Sequence, residues 1–243
     1  MEVNLLPKQP MVVQDSVLHI HLETDHSQKK GIIQESLEQK KFQLLVKRTF
    51  DILVSLVLII CLAPILIVTA VLIKLTSPGP LLYSNERVGY RGLHFRCFKF
   101  RSMVTDQSVK QTDYEVALKH QEKGILHKVQ NDTRITWIGK IIRKTSIDEL
   151  PQLFNVLRGD MSIIGPRPLV PFMLKHLPEF KEVRSMMRPG ITGLWQIRDR
   201  INNTSAEFMV QHDTEYVENY SLLLDLKILF KTPIVVLTGE GAY

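Results

Sequence analysis

From Ile52 to Ile73 the chain runs 22 residues without a single charge. At helical rise that is roughly 33 Å, enough to cross a hydrocarbon core of about 30 Å. A buried helix of a water-soluble core is the weaker account, because helices this long and this uniformly apolar are rare there. Pro64 sits near the middle of the run and removes a helical hydrogen bond, which permits a sharp bend. Both flanks are basic. Lys40, Lys41, Lys47 and Arg48 precede the run; Lys74, Arg87, Arg91, Arg96, Lys99 and Arg101 follow it, with Glu86 the only acid between Lys74 and Arg101. A spanning helix should show charge asymmetry between its ends. The residues therefore leave two topologies standing: a spanning helix, or a helix bent at Pro64 that returns to the face it entered. In the second, Ser55 and Thr69 are small polar residues suited to bonding carbonyls freed by the bend.

The net charge is +6, from 31 Lys+Arg against 25 Asp+Glu. An excess of this size suits an anionic partner: nucleic acid, an anionic membrane surface or a phosphorylated substrate. The composition is ordinary for a globular chain and excludes disordered and fibrous classes. Cys61 lies inside the apolar run, so a bond to Cys97 is not expected, and there is no disulfide framework. Residues 1–40 are polar, mixed in charge and without the apolar core of a secretory signal. They are set aside as an extension with little bearing on chemistry.

Ser77-Pro-Gly-Pro80 is a stiff turn ending the apolar segment. Leu81 to Ser84 and His94 to Phe100 are expected as strands around a glycine turn at Arg87 to Gly92. In the second strand, Arg96 and Lys99 are expected to point outward. Asp106 to Lys123 reads as a surface helix or loop. Helical spacing covers Ile135 to Arg143, a further helix is predicted over Ser146 to Leu157, and Thr204 with Glu207 forms a capping box for a helix to about Asn219. Leu222 to Leu237 is apolar but broken by Lys227, Lys231 and Pro233. Core packing and an interfacial position, with lysines reaching toward head groups, account for it equally.

The densest chemistry lies in Arg143-Lys-Thr-Ser-Ile-Asp-Glu-Leu-Pro151. Ser146 and Glu149 have capping-box spacing, which is a purely structural reason for Glu149. Asp148 in a first helical turn is also favourable to the helix dipole. The same geometry keeps a carboxylate ionised where phosphate is attracted, so Asp148 is a candidate nucleophile at phosphorus. Repulsion between carboxylate and diphosphate would then need a divalent metal and cations to offset it. Adjacent helical residues splay apart, which gives Asp148 and Glu149 separate roles. Gly165-Pro-Arg-Pro168 fixes one arginine between prolines, and a planar guanidinium suits phosphate. Arg188-Pro-Gly-Ile-Thr-Gly-Leu-Trp-Gln-Ile-Arg-Asp-Arg200 could hold a nucleotide or sugar, although Trp195 reads first as a packed residue. There is no P-loop, no dinucleotide fingerprint and no zinc spacing.

Lys47-Arg-Thr-Phe-Asp51, the apolar run, Ser77 to Pro80, Arg87-Val-Gly, Lys99-Phe-Arg-Ser-Met103, Asn131-Asp-Thr-Arg-Ile-Thr136, Arg143 to Pro151, Gly165 to Pro168 and Pro189-Gly-Ile-Thr-Gly-Leu-Trp-Gln196 occur in one order. Over roughly residues 41–243 this resembles the bacterial sugar transferases, the monotopic phosphoglycosyl transferases acting on undecaprenyl phosphate. The resemblance implies a re-entrant helix bent at Pro64, here preceded by Ala63 where the family commonly has serine. It implies an Asp-Glu dyad at Asp148 and Glu149, with Asp148 forming a phosphosugar-enzyme intermediate as UMP leaves. It implies magnesium near the dyad, with Asp148 the candidate ligand, and phosphate binding by Arg143 and Arg167. Asp132-Thr-Arg134 departs from the family's Asp-Pro-Arg pattern. The ending Gly239-Glu-Gly-Ala-Tyr243 looks like members that start exopolysaccharide or capsule repeat units.

The expected architecture is α+β and mainly helical. Residues 1–40 are an extension, 41–80 a re-entrant membrane helix, and 81–243 a cytoplasmic catalytic domain with a small β-hairpin and interfacial amphipathic helices. The expected partners are a UDP-sugar, undecaprenyl phosphate and the lipids of the cytoplasmic membrane; nucleic acid is not expected, and self-association stays open. The competing reading is a non-enzymatic, membrane-tethered basic module. Convergence of Arg143, Asp148, Glu149 and Arg167 would favour the enzyme, and their dispersal the module.

Overall fold

The apolar run lies within a single helical element. In the structure, a computed structural model describing residues 27–104, 134–174, 178–198 and 206–237, helix α1 covers 27–39, and helix α2 runs Lys41–Thr76 with Pro64 inside it. Along α2 the large apolar side chains Leu53, Leu56, Val57, Ile60, Ile65, Ile67, Val68 and Val71 are exposed. A face this apolar marks a surface to be covered by lipid or by a partner. Asp51, Ser55, Thr69 and Ile73 are buried on the opposite stripe. The Ser55 hydroxyl has no hydrogen-bond partner; it does not bond a freed carbonyl, contrary to the expectation from the sequence.

Both ends of α2 dock on the domain that follows. At the first end, Lys47 pairs with Asp225 at 2.9 Å, Arg48 donates to the Val156 carbonyl at 2.8 Å, and Asp51 accepts from Ser162 Oγ at 3.0 Å and Ile163 N at 2.9 Å. At the other end, Ile73 packs with Phe100, Ile138 and Ile142. There Arg101, itself buried, donates to the Ser77 carbonyl at 2.6 Å and Ser77 Oγ at 2.9 Å. Part of the basic flank is therefore structural and does not face head groups. The end of the presumed extension also packs: Ile33 and Leu37 of α1 enter the main core, and Lys40 donates to the Tyr220 carbonyl at 2.8 Å.

Strands β1 (Leu82–Val88) and β2 (His94–Phe100) form an antiparallel hairpin, with Tyr83 opposite Lys99 and Arg87 opposite Phe95. The first strand extends past Ser84, because the tight turn at Tyr90–Gly92 folds β2 back along its whole length. Arg96 and Lys99 do not share an outward face. They are three residues apart, and strand side chains alternate; Arg96 is exposed while Lys99 turns inward.

Helices α3 (Trp137–Lys144), α4 (Gln152–Arg158), α5 (Pro178–Arg184), α6 (Leu194–Arg198), α7 (Ala206–Glu218) and α8 (Leu222–Leu237) complete the domain. The helix expected over Ser146 to Leu157 is broken. Ser146 is left-handed, Ile147–Glu149 is one 3-10 turn, and α4 starts only after Pro151. Proline lacks an N–H and sits best at a helix start, which resets the helix there. Between α4 and α7, β3 (Ser162–Ile164) pairs in parallel with β4 (Gly190–Thr192). A Cβ on Gly190 would lie 2.1 Å from the Gly165 nitrogen, so these motif glycines serve backbone approach between strands. The core gathers Leu153, Val156, Met161, Ile164, Tyr216, Tyr220 and Ile228. In α8 both sequence readings have a share. Asp225 and Ile228 face inward, while Leu223, Leu226, Phe230 and Ile234 are exposed beside exposed Lys227 and Lys231. Thr204, Asp132, Gly239 to Tyr243 and Asp106 to Lys123 lie outside the described residues.

Candidate active site

The dyad is held between α3 and the hairpin. Thr136 caps α3, its Oγ1 accepting from Gly139 N at 3.0 Å. Gly139 is where α3 crosses the end of β2: a Cβ there would lie 2.0 Å from the Ser102 carbonyl oxygen. That close approach places Arg143, one turn on, so that its Nε donates to Ser102 Oγ at 2.8 Å. The 3-10 turn then delivers Asp148 and Glu149. Lys99 on β2 meets Glu149 Oε1 at 2.6 Å.

The expected capping box is absent. Ser146 makes no side-chain cap, and Glu149 N donates instead to the Ser146 main-chain carbonyl at 3.2 Å. A left-handed residue at that position aims its hydroxyl away from the following N–H groups. Asp148 is 9% exposed. Burial, reinforced by the Glu149 charge, pushes its carboxyl up to about 6, against the pull of Lys99, Arg143 and its own backbone N–H. Desolvation thus outweighs the dipole argument that favoured ionisation. At pH 7 the group is still mainly a carboxylate, and one that lacks full hydration.

Arg167 approaches on a separate loop, clamped through its own peptide. Its N–H donates to Asp213 Oδ2 at 3.1 Å, its carbonyl accepts from Arg184, and Arg184 and Asp213 form a buried pair at 2.6 Å. Its guanidinium lies 5.0 Å from the ring centre of Trp195. Trp195 itself is buried among Val88, Leu169, Leu174, Met209 and Val210, so the packed reading of it holds. Arg167 and Glu149 both act on Cys97, the buried thiol that burial keeps above its ordinary range. Cys61 and Cys97 are both free, as expected.

Of the four sequence-selected residues, Arg143, Asp148 and Glu149 form one knot with Lys99, while Arg167 stands on a separate loop against Trp195 and is tied to the knot only through the charge it shares with Glu149 at Cys97. Lys99, Ser102, Arg184 and Asp213 were given no role from sequence. Only strand parity could have signalled Lys99, since it falls on the opposite face from Arg96. Among the described residues, no three His, Cys, Asp or Glu gather. With Glu149 engaged by Lys99, Asp148 alone makes no all-protein cage, but one carboxylate fits magnesium, which keeps waters and takes one or two carboxylates plus substrate phosphates.

The bacterial sugar transferase family model matches residues 42–239. The exopolysaccharide production protein ExoY of Sinorhizobium fredii is 41% identical over 199 residues, covering 81% of this chain and 88% of that protein. The undecaprenyl-phosphate galactose phosphotransferase of Salmonella typhimurium is 44% identical, covering 87% of this chain and 44% of that protein. The UDP-galactose-lipid carrier transferase of Erwinia amylovora is 44% identical, covering 82% of this chain and 42% of that protein. The chain thus spans less than half the length of these last two relatives. With the family match extending over most of its residues, the chain belongs to the bacterial sugar transferases and is an enzyme of that family.

Proposed function

We propose that the protein transfers a sugar-1-phosphate from a UDP-sugar to undecaprenyl phosphate, through a covalent intermediate on Asp148, in the first membrane step of a glycan repeat unit. The names of the relatives above support donor and acceptor. The observation that carries the reading is a buried, poorly hydrated Asp148 carboxylate beside Lys99 and Arg143, a nucleophile surrounded by the cations that an incoming diphosphate needs.

Asp148 attacks the phosphorus that bears the sugar. The new bond is carboxylate oxygen to phosphorus. The anhydride bond breaks, and UMP leaves with its electron pair. A phosphate oxygen of the lipid then attacks the same phosphorus and displaces Asp148, regenerating the carboxylate. Lys99 holds Glu149 aside, so Asp148 meets substrate as a single anion. Arg143 and Arg167 offset charge on the phosphates. Asp148, the candidate ligand, would hold magnesium, which when bound withdraws charge from the diphosphate.

We further propose that α2 is re-entrant and the enzyme monotopic, facing the cytoplasm. Docking of both helix ends on one domain supports this, as does Pro64 between them. The exposed apolar side of α8, with Lys227 and Lys231 interleaved, supports an interfacial position. A UMP-release assay over a panel of UDP-sugars, with undecaprenyl phosphate and magnesium, tests the reaction. Release with at least one sugar, lost in Asp148→Asn, is expected. Turnover retained in that variant overturns the covalent route.

A further inference from the structure

The hairpin face that carries Lys99 holds a second cation, Arg87, that this reading does not use. Opposed residues of an antiparallel pair project to one face. The register therefore groups Tyr83 with Lys99, Asn85 with Cys97 and Arg87 with Phe95 on a shared face. That face turns toward the dyad, because Lys99 holds Glu149. The Arg87 Nε donates to Asn85 Oδ1 at 3.2 Å, and an Nη donates to the Pro168 carbonyl at 3.1 Å. Pro168 is the residue after Arg167, so the two bonds fix the guanidinium between the hairpin and the Arg167 loop.

A guanidinium has five donors. With two engaged, three remain, and Arg87 makes no ion pair with a carboxylate among the described residues. Arg167 likewise stacks on Trp195, and Asp213 holds its backbone, not its guanidinium. Burial first, then the Arg167 charge, holds the Arg87 guanidinium below the usual arginine range. Arg87 and Arg167 stand on adjoining backbone and repel each other, with Glu149 the only carboxylate acting the other way on Arg87 and neither arginine in an ion pair among the described residues, and an anion seated between them removes that cost. Anchoring to the Pro168 carbonyl alone would need one N–H, not a forked cation.

We propose that Arg87 is an anion-binding residue of the active site that grips the donor's diphosphate together with Arg167. The identity of the ligand rests on the transferase reading; the anion site itself does not.

The test is calorimetric titration of the full-length, detergent-solubilised protein with inorganic pyrophosphate in excess magnesium. Arg87→Gln should bind at least about tenfold more weakly, the loss of about one charge-assisted bond pair, and Arg87→Lys should recover part of that loss at similar thermal stability. In turnover, Arg87→Gln should raise KM for the UDP-sugar and leave KM for the lipid phosphate unchanged. The wild-type protein supplies a readout independent of variant folding: pyrophosphate should slow phenylglyoxal modification of Arg87, followed by peptide mass. Equal affinity in wild type and Arg87→Gln, a KM change confined to the lipid, or Arg87 modification indifferent to bound pyrophosphate overturns the proposal. Absence of UMP release by wild type, with pyrophosphate still bound through Arg87, would instead overturn the transferase reading alone.

Discussion

Replacing Asp148 by asparagine should abolish turnover and at the same time stabilise the fold. The rise of the Asp148 carboxyl from an ordinary 3.8 to about 6 corresponds to about 3 kcal/mol withheld from folding once the group is ionised, at about 1.4 kcal/mol per pH unit. Because the folded value lies above the unfolded one, the folded state retains a proton between about pH 4 and 6 that the unfolded chain has released. Stability therefore falls as pH rises through that window and levels off above it. The asparagine amide keeps the shape but still loses hydration, so a gain of about 1–2 kcal/mol at pH 7.5 is expected, roughly 2–8 °C in Tm for a chain of this size. The assay is thermal unfolding in detergent with EDTA, so that no divalent ion compensates the charge, from pH 4 to 8. The wild-type and Asp148→Asn curves should converge near pH 4 and separate above pH 6. A variant equal to or less stable than wild type at pH 7.5, or a gap independent of pH, would refute the reasoning that burial dominates this carboxylate.

Lys99→Met removes a cation that favours ionised Asp148, so the acid limb of the pH–rate profile should move to higher pH and kcat/KM should fall by about 10²-fold. Gly139→Ala places a methyl 2.0 Å from the Ser102 carbonyl; displacement of α3 should cost about 1–3 kcal/mol in thermal unfolding and lower turnover through Arg143. Asp213→Ala strands the buried Arg184 charge and should destabilise the protein by about 3–5 kcal/mol, read as a fall in Tm. In a Cys61→Ala background, where the remaining Cys97 is buried, cysteines placed one at a time near Lys41 and Thr76 should both label from the cytoplasmic side; labelling from opposite sides would exclude the re-entrant helix.

What could be read from the sequence was whatever leaves a signal within a short stretch of chain. The charge-free run and α8 show as apolar stretches, α3 as helical spacing, the hairpin as strand runs around a glycine turn and α7 as a capping-box spacing, and Arg143, Asp148 and Glu149 lie close together in one motif. Lys99 escaped because its face depends on strand parity set by the Tyr83 pairing, and Asp148's burial because the hairpin that covers it lies some fifty residues earlier. The pairing of β3 with β4 joins two three-residue strands through glycines, which leaves no periodic trace. Likewise α1 looks polar because only Ile33 and Leu37 need to be apolar for it to dock.

The most direct test of the covalent claim is intact-protein and peptide mass measurement after incubation with a UDP-sugar and magnesium but no lipid acceptor. The account predicts an added sugar-phosphate on the peptide containing Asp148, discharged when undecaprenyl phosphate is supplied and absent in Asp148→Asn. An enzyme that turns over with lipid present yet carries no adduct on that peptide, or carries it elsewhere, would contradict the account.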